Sequence, residues 1–233
     1  MTMTAQRPRQ STVARYAVPM AGAVVTLTGT LGVIALADSA TEGDGLAAFD
    51  PDFTSDAVAA RSAPLTALAR GLTFLGDVPV LIVLMLVAAY LLFRTTRSWR
   101  APALLLFAMA GSAALTYGLK ALVERKRPGI TFVLGPVDTG FAFPSGHTLN
   151  STVFLGMLAG LIWVGLRSRT GKAAVGTAAL LLSIGIGLSR IYLGYHWATD
   201  VLAGWLVAVT WLAIVVTTAR LTKWLQRDPS PAG

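Results

Sequence analysis

Cysteine is absent from all 233 residues, which removes disulfides, thiolate nucleophiles and thiolate metal sites together, without identifying the redox compartment. Charge is scarce too. Asp, Glu, Lys and Arg make up 13% of the chain against 55% hydrophobic residues, and the mean hydropathy is +0.66. That balance leaves too little polar surface to cover a water-soluble globule, so the solvent for most of the chain is a bilayer. Acidic residues are outnumbered, 11 to 19, and the formal charge is +8. No basic face or aromatic stacking module accompanies the charge, which argues against nucleic acid; the cations sit in short groups between apolar runs, as loops on anionic headgroups do. Histidine is rare as well, with only His147 and His196. Both fall inside short polar clusters, and that placement points to chemistry.

A spanning helix needs about 20 mostly apolar residues. Six stretches qualify, running roughly from Tyr16 to Ala37, Val78 to Phe93, Ala101 to Leu119, Thr148 to Leu166, Ala173 to Leu188 and Trp197 to Ala219. The expected fold is all-α: a polytopic membrane bundle of six transmembrane helices in a single domain over residues 1–233, with short cytoplasmic tails at 1–15 and 220–233. The second stretch is short unless it begins near Leu72 and buries Asp77, and the segment from Ala57 to Leu75 reads as an interfacial helix. The first stretch follows Arg7, Arg9 and Arg15 and ends in Ala35-Leu36-Ala37, which fits a signal-peptide cleavage pattern. Its apolar length exceeds a signal core, so an uncleaved helix is expected.

Basic residues set the orientation. With the N-terminus inside, twelve of the nineteen are cytoplasmic and seven are outside, four of the seven being Lys120, Arg125, Lys126 and Arg127. The first outer loop is acidic, with Asp38, Glu42, Asp44, Asp50, Asp52 and Asp56. The positive-inside rule therefore puts both termini in the cytoplasm. Lys120 ends the third stretch, His147 precedes the fourth, Arg190 ends the fifth and His196 opens the sixth, so alternation puts all four on one face, here the extracytoplasmic one.

Three polar clusters share that face. His196 and Asp200 are four residues apart at a helix start, so they lie on one face about one turn apart. A carboxylate there can fix the imidazole tautomer and leave the other ring nitrogen as a nucleophile; a headgroup-level His beside a helix-capping Asp would look the same. Pro144-Ser145-Gly146-His147 opens a helix, where unpaired N–H groups favour an anion, although taken alone it also reads as an ordinary loop with a good N-cap. His147 has no carboxylate at helical spacing and suits proton donation. Lys120, Arg127 and Arg190 supply the positive field that a phosphoryl transition state needs, whereas Arg125 and Lys126 read as snorkelling residues of a helix end.

The order Lys120, six residues, Arg127-Pro128, then Pro144-Ser145-Gly146-His147, then Ser189-Arg190, five residues, His196, three residues, Asp200 resembles the complete three-part signature of the type 2 phosphatidic acid phosphatase (PAP2) superfamily. The resemblance is strong from Lys120 to Asp200; the N-terminal third matches only in helix count. It implies a membrane lipid phosphatase in which His196 forms a phosphohistidine, Asp200 orients it and His147 protonates the leaving group. Lys120, Arg127, Ser145, Gly146 and Arg190 then hold the phosphate, with no metal or other cofactor, in a chain whose few carboxylates lie mostly away from the motifs.

The substrates expected are lipid phosphates in the bilayer, such as phosphatidic acid, phosphatidylglycerol phosphate or a polyprenyl diphosphate. Vanadium-dependent haloperoxidases resemble the same signature but are soluble, and six apolar stretches count against them. A lipid phosphotransferase is barely separable from a hydrolase on these residues. A non-enzymatic lipid transporter fits poorly with an intact His196–Asp200 pair. Nothing in the sequence reads out head-group choice or oligomeric state.

Overall fold

The computed structural model describes residues 12–225; Arg7, Arg9 and Arg227, three of the twelve basic residues that the expected orientation puts in the cytoplasm, lie outside them. All regular structure among the described residues is helical. The order is α1 (Thr12–Glu42), α2 (Asp50–Ala59), α3 (Ala63–Leu75), α4 (Val78–Thr96), α5 (Arg100–Val123), α6 (Gly146–Gly165), α7 (Arg169–Tyr192) and α8 (Ala198–Leu225), with single 3-10 turns at Ala47–Phe49 and Ile130–Phe132. Six of these, α1 and α4 to α8, are long and apolar enough to cross a membrane. The large side chains left outside, such as Leu27, Ile82, Phe107, Leu181 and Val209, are apolar, as a lipid-facing surface requires.

α6 is the hub. It packs against α4, α5, α7 and α8, and its Leu149, Val153, Phe154 and Met157 form a core with Leu105 and Ala108 of α5, Leu81 of α4, and Val207 and Ala208 of α8. Small residues let the backbones approach, since apolar burial gives no drive between helices already in lipid. A Cβ at Gly111 of α5 would collide with the Trp211 indole of α8, and one at Gly29 of α1 with the Thr210 hydroxyl. α1 packs along α8, joining the two ends of the bundle.

The spans match the expected six, but helices at the polar face run further. α5 continues to Val123 and α7 to Tyr192, so Lys120 and Arg190 sit inside last turns rather than after them. α4 begins at Val78, with Asp77 as its N-cap at 43% side-chain exposure, so the second span stays short and leaves Asp77 unburied. The segment expected to be one interfacial helix is split. α2 ends at Ala59 and α3 starts at Ala63, with Pro64 in its first turn, and α3 lies against α7. Arg61 at the corner donates to the Tyr192 carbonyl at 3.0 Å and to Phe132 O at 2.6 Å, tying the α2–α3 turn to the last carbonyls of α7.

Candidate active site

Four helix ends converge on the polar face, and each brings one part of the site. α5 stops because Glu124 adopts a left-handed conformation, φ 49°, and the chain then leaves without a helix as Arg125-Lys126-Arg127-Pro128. In that run alternate side chains point inward: Arg125 and Arg127 are half-buried or better, and Lys126 is exposed. The long connection from there to α6 folds back over the helix ends. Ala142 N donates to Arg125 O at 2.8 Å, Leu134 N to Leu193 O at 2.9 Å, and Lys120 Nζ to Phe141 O.

α6 starts at Gly146, and its geometry leaves the N–H groups of Gly146, His147 and Thr148 without intrahelical acceptors. Ser145 is the N-cap residue but makes no side-chain cap; its buried Oγ accepts from Thr148 Oγ1 at 2.9 Å, leaving its own proton uncommitted. Packing is tight at Gly146, where a Cβ would stand 3.2 Å from Thr116 Cγ2 of α5.

Between α7 and α8 the chain reverses at Gly194, φ +79°, where a Cβ would run into the Phe132 carbonyl. The turn holds His196 at 1% exposure, next to Arg190 at 5%. Arg190 donates to Thr73 Oγ1 of α3 at 2.7 Å and stacks 4.1 Å above the Tyr195 ring, yet its buried Nε has no partner among the described residues. An unmade bond to a buried cationic donor is costly, and a phosphate oxygen would make it.

Asp200 does two jobs at the start of α8. Its Oδ2 accepts Trp197 N–H at 2.9 Å, the backward reach of a capping box, and lies 3.4 Å from His196 Nδ1. One carboxylate oxygen thus meets both the helix start and the His196 ring. The other ring nitrogen, Nε2, lies 3.3 Å from Arg127 Nη1. A guanidinium can only donate, so Nε2 is the acceptor and the proton resides on Nδ1, facing Asp200. Burial, then the charges of Arg190, Arg127 and Lys120, push the His196 imidazole well below its ordinary range, so it is neutral near pH 7.

Two expectations are corrected here. Arg125 is no snorkelling residue: its side chain is 9% exposed, with Nη2 2.7 Å from Asp50 Oδ2 and Nη1 2.7 Å from Asp200 Oδ1. Asp50 in turn accepts Thr199 N–H at 3.0 Å and also the Thr199 hydroxyl. Lys126 does remain exposed, lending only its carbonyl to the Trp197 indole. The second correction concerns carboxylates, which do not keep away from the motifs. Asp50 from the start of α2, Asp77 before α4 and Asp138 from the α5–α6 connection all join the cluster; Asp77 lies 2.7 Å from His147 Nε2 and Asp138 2.6 Å from Arg127 Nη2. Burial would raise Asp138, but the Gly140 N–H and Arg127 outweigh it and hold the carboxyl below its ordinary range. The sequence carried one signal for Asp77, an isolated carboxylate between apolar stretches, which in a membrane protein is a functional candidate by default. It carried none that singled Asp50 out of an acidic loop.

All eight residues selected from the sequence, His196, His147, Asp200, Lys120, Arg127, Ser145, Gly146 and Arg190, stand at these converging ends. Among the described residues no group of three or more His, Asp or Glu is arranged to hold a metal ion. The family model for the PAP2 superfamily matches residues 101–224, from α5 to the end of α8. Phosphatidylglycerophosphatase B of Bacillus subtilis is 30% identical over 156 residues, covering 66% of this chain and 75% of that protein. Decaprenylphosphoryl-5-phosphoribose phosphatase of Mycobacterium tuberculosis is 32% identical over 157 residues, covering 65% and 78%. The crystal structure of a transmembrane PAP2 type phosphatidylglycerolphosphate phosphatase from Bacillus subtilis superposes with a TM-score of 0.77 at 26% identity, over 84% of this chain and 96% of the other. The matched region is the one that builds the cation-lined cluster around His196, and this multi-pass membrane protein belongs to the PAP2 superfamily of phosphatases.

Proposed function

We propose that this phosphatase hydrolyses lipid phosphates or diphosphates at the extracytoplasmic face, through a phosphohistidine on His196 and without a metal ion. The observation that carries the reading is the state of His196. Arg127 makes Nε2 the acceptor, Nδ1–H faces Asp200, and the ring is neutral, so a lone pair is available on the side of the cations.

Nε2 attacks phosphorus while the bond to the leaving oxygen breaks, and that oxygen takes a proton from His147. Negative charge builds on the equatorial oxygens, which Lys120, Arg127, Arg190, the Ser145 hydroxyl and the N–H groups at Gly146 are placed to receive. Asp200 stabilises the charge that develops on His196. Water then attacks the phosphohistidine, returning a proton to His147 and releasing phosphate. The three cations supply what a metal would otherwise supply.

The candidate substrates are phosphatidic acid, phosphatidylglycerol phosphate and polyprenyl diphosphate; relatives named phosphatidylglycerophosphatase B and, in Sulfolobus acidocaldarius, undecaprenyl-diphosphatase favour the last two. Their chains would stay in lipid while the phosphate enters between helix ends. Detergent-purified protein should release phosphate from at least one member of such a panel with EDTA present. Rapid quenching should trap an acid-labile phosphoenzyme that His196→Ala lacks. Activity lost entirely in EDTA and restored by magnesium or zinc would contradict the mechanism.

A further inference from the structure

Asp77 reaches the site from an element outside the three-part signature. It is the residue before α4, on the turn that follows α3, and its Oδ1 lies 2.7 Å from His147 Nε2. Contact between this turn and the first turn of α6 is close. A Cβ on Gly76 would stand 2.8 Å from Ile186 Cγ2 and 3.1 Å from His147 Cδ2, so a side chain there would push the turn off both α6 and α7. The two side chains are 20% and 43% exposed, so the pair lies at the surface of the cluster rather than behind it. No group among the described residues bonds His147 Nδ1.

A proton donor must carry its proton before the leaving oxygen needs it. For His147 that means a positive imidazolium beside Arg190, in a cluster that already holds Lys120 and Arg127; the charged groups facing it are Arg190 from α7, Asp77 from the α3–α4 turn and Asp138 from the α5–α6 connection. Asp138 is paired with Arg127. Among the described residues only Asp77 bonds the ring.

We propose that Asp77 is the positioning residue of the acid step: its carboxylate accepts Nε2–H of His147, supplies the counter-charge of the imidazolium and so presents Nδ1–H to the leaving oxygen. As the P–O bond breaks, its electron pair stays on the leaving oxygen, which takes the Nδ1 proton, and His147 becomes neutral with Nε2–H still on Asp77. When water attacks the phosphohistidine, its proton returns to Nδ1. Asp77 never touches the substrate and acts through His147. The site thus holds two His–Asp pairs, His196 with Asp200 and His147 with Asp77, one set to attack and the other to donate. The inference rests on the reading of His147 as the proton donor.

A leaving-group comparison tests both. An alkoxide from a lipid phosphate needs a proton to depart, whereas 4-nitrophenolate does not. With purified protein in detergent micelles, kcat/KM is compared for phosphatidic acid and for 4-nitrophenyl phosphate, since this constant reports the step that breaks the P–O bond. Asp77→Asn keeps the shape and removes the charge; its loss on the lipid phosphate should exceed its loss on the aryl ester by roughly tenfold or more, a fraction of the about 10²–10⁴ that acid–base catalysis contributes. Asp77→Glu should recover part of that difference. His147→Ala should show the same selectivity, larger. Equal losses on both substrates, or none on either, would mean that Asp77 is only a helix cap and would overturn the proposal. Should His147→Ala itself lose both activities equally, the reading of His147 fails first and the role of Asp77 with it. Activity toward the aryl ester reports that each variant is folded.

Discussion

Arg125 does more in this site than its place in a basic run suggests. Its guanidinium bridges Asp50 and Asp200, which are 2% and 0% exposed, and donates to Thr199 Oγ1 at 2.7 Å. Removing it strands two buried carboxylates, and breaking a buried pair from one side costs about 3–5 kcal/mol. Arg125→Ala should therefore lower the unfolding temperature in detergent markedly, while Lys126→Ala, exposed one residue away, should stay within about 0.5 kcal/mol of wild type. Equal thermal midpoints for Arg125→Ala and wild type would show that the bridge stabilises nothing. From the sequence these neighbours looked alike. What separates them is a non-helical run that sends alternate side chains inward, and a counter-charge that arrives from seventy-five residues away on both sides.

Helix ends, more than helix bodies, decide what this bundle can do. The bodies were legible because about 20 apolar residues in a row have few other uses. Lys120, Arg127, His147, Arg190, His196 and Asp200 were legible too, because topological alternation brings the ends of neighbouring spans to one side whatever their packing. α3 was legible only as part of one interfacial helix, because its break from α2 is held by Arg61 on α7, and α2 was not legible, being a short helix with little apolar period whose place is set by Asp50 on Arg125 and Thr199. Packing between bodies still limits the geometry at their ends. On α5, a Cβ at Gly111 would strike the Trp211 indole, which is held by a 2.8 Å bond from Nε1 to Ala108 O, whereas one at Gly118 meets nothing within 4 Å. Gly111→Ala should destabilise by about 1–3 kcal/mol through overpacking. Gly118→Ala should be neutral or gain up to about 1 kcal/mol of helix propensity. Thermal unfolding of the pair reads the difference directly, and equal midpoints would mean that α8 can move away from α5 at no cost.

For the molecule as a whole, the orientation in the membrane decides which pool of lipid it can use. With no native cysteine, single cysteines at Thr139 in the α5–α6 connection and at Ser98 between α4 and α5 report the two faces separately. On intact cells a membrane-impermeant thiol reagent should label Thr139→Cys and not Ser98→Cys; the reverse would move the chemistry to the cytoplasmic side and leave its mechanism untouched. A different consequence follows from the packing of α1 along α8 and the ion pairs that Asp50 and Asp77 make with later segments. During synthesis α1, Asp50 and Asp77 are made first, and their partners, Arg125, His147 and α8, come afterwards. Until then two carboxylates wait at the membrane surface without counter-charges, and a glycine-lined helix waits without a neighbour. A chain that stops before α8 thus keeps an open seam along α1, while a finished chain closes its first helix against its last. The bundle and the candidate catalytic cluster are then completed together, because His196 and Asp200 arrive only at the start of α8.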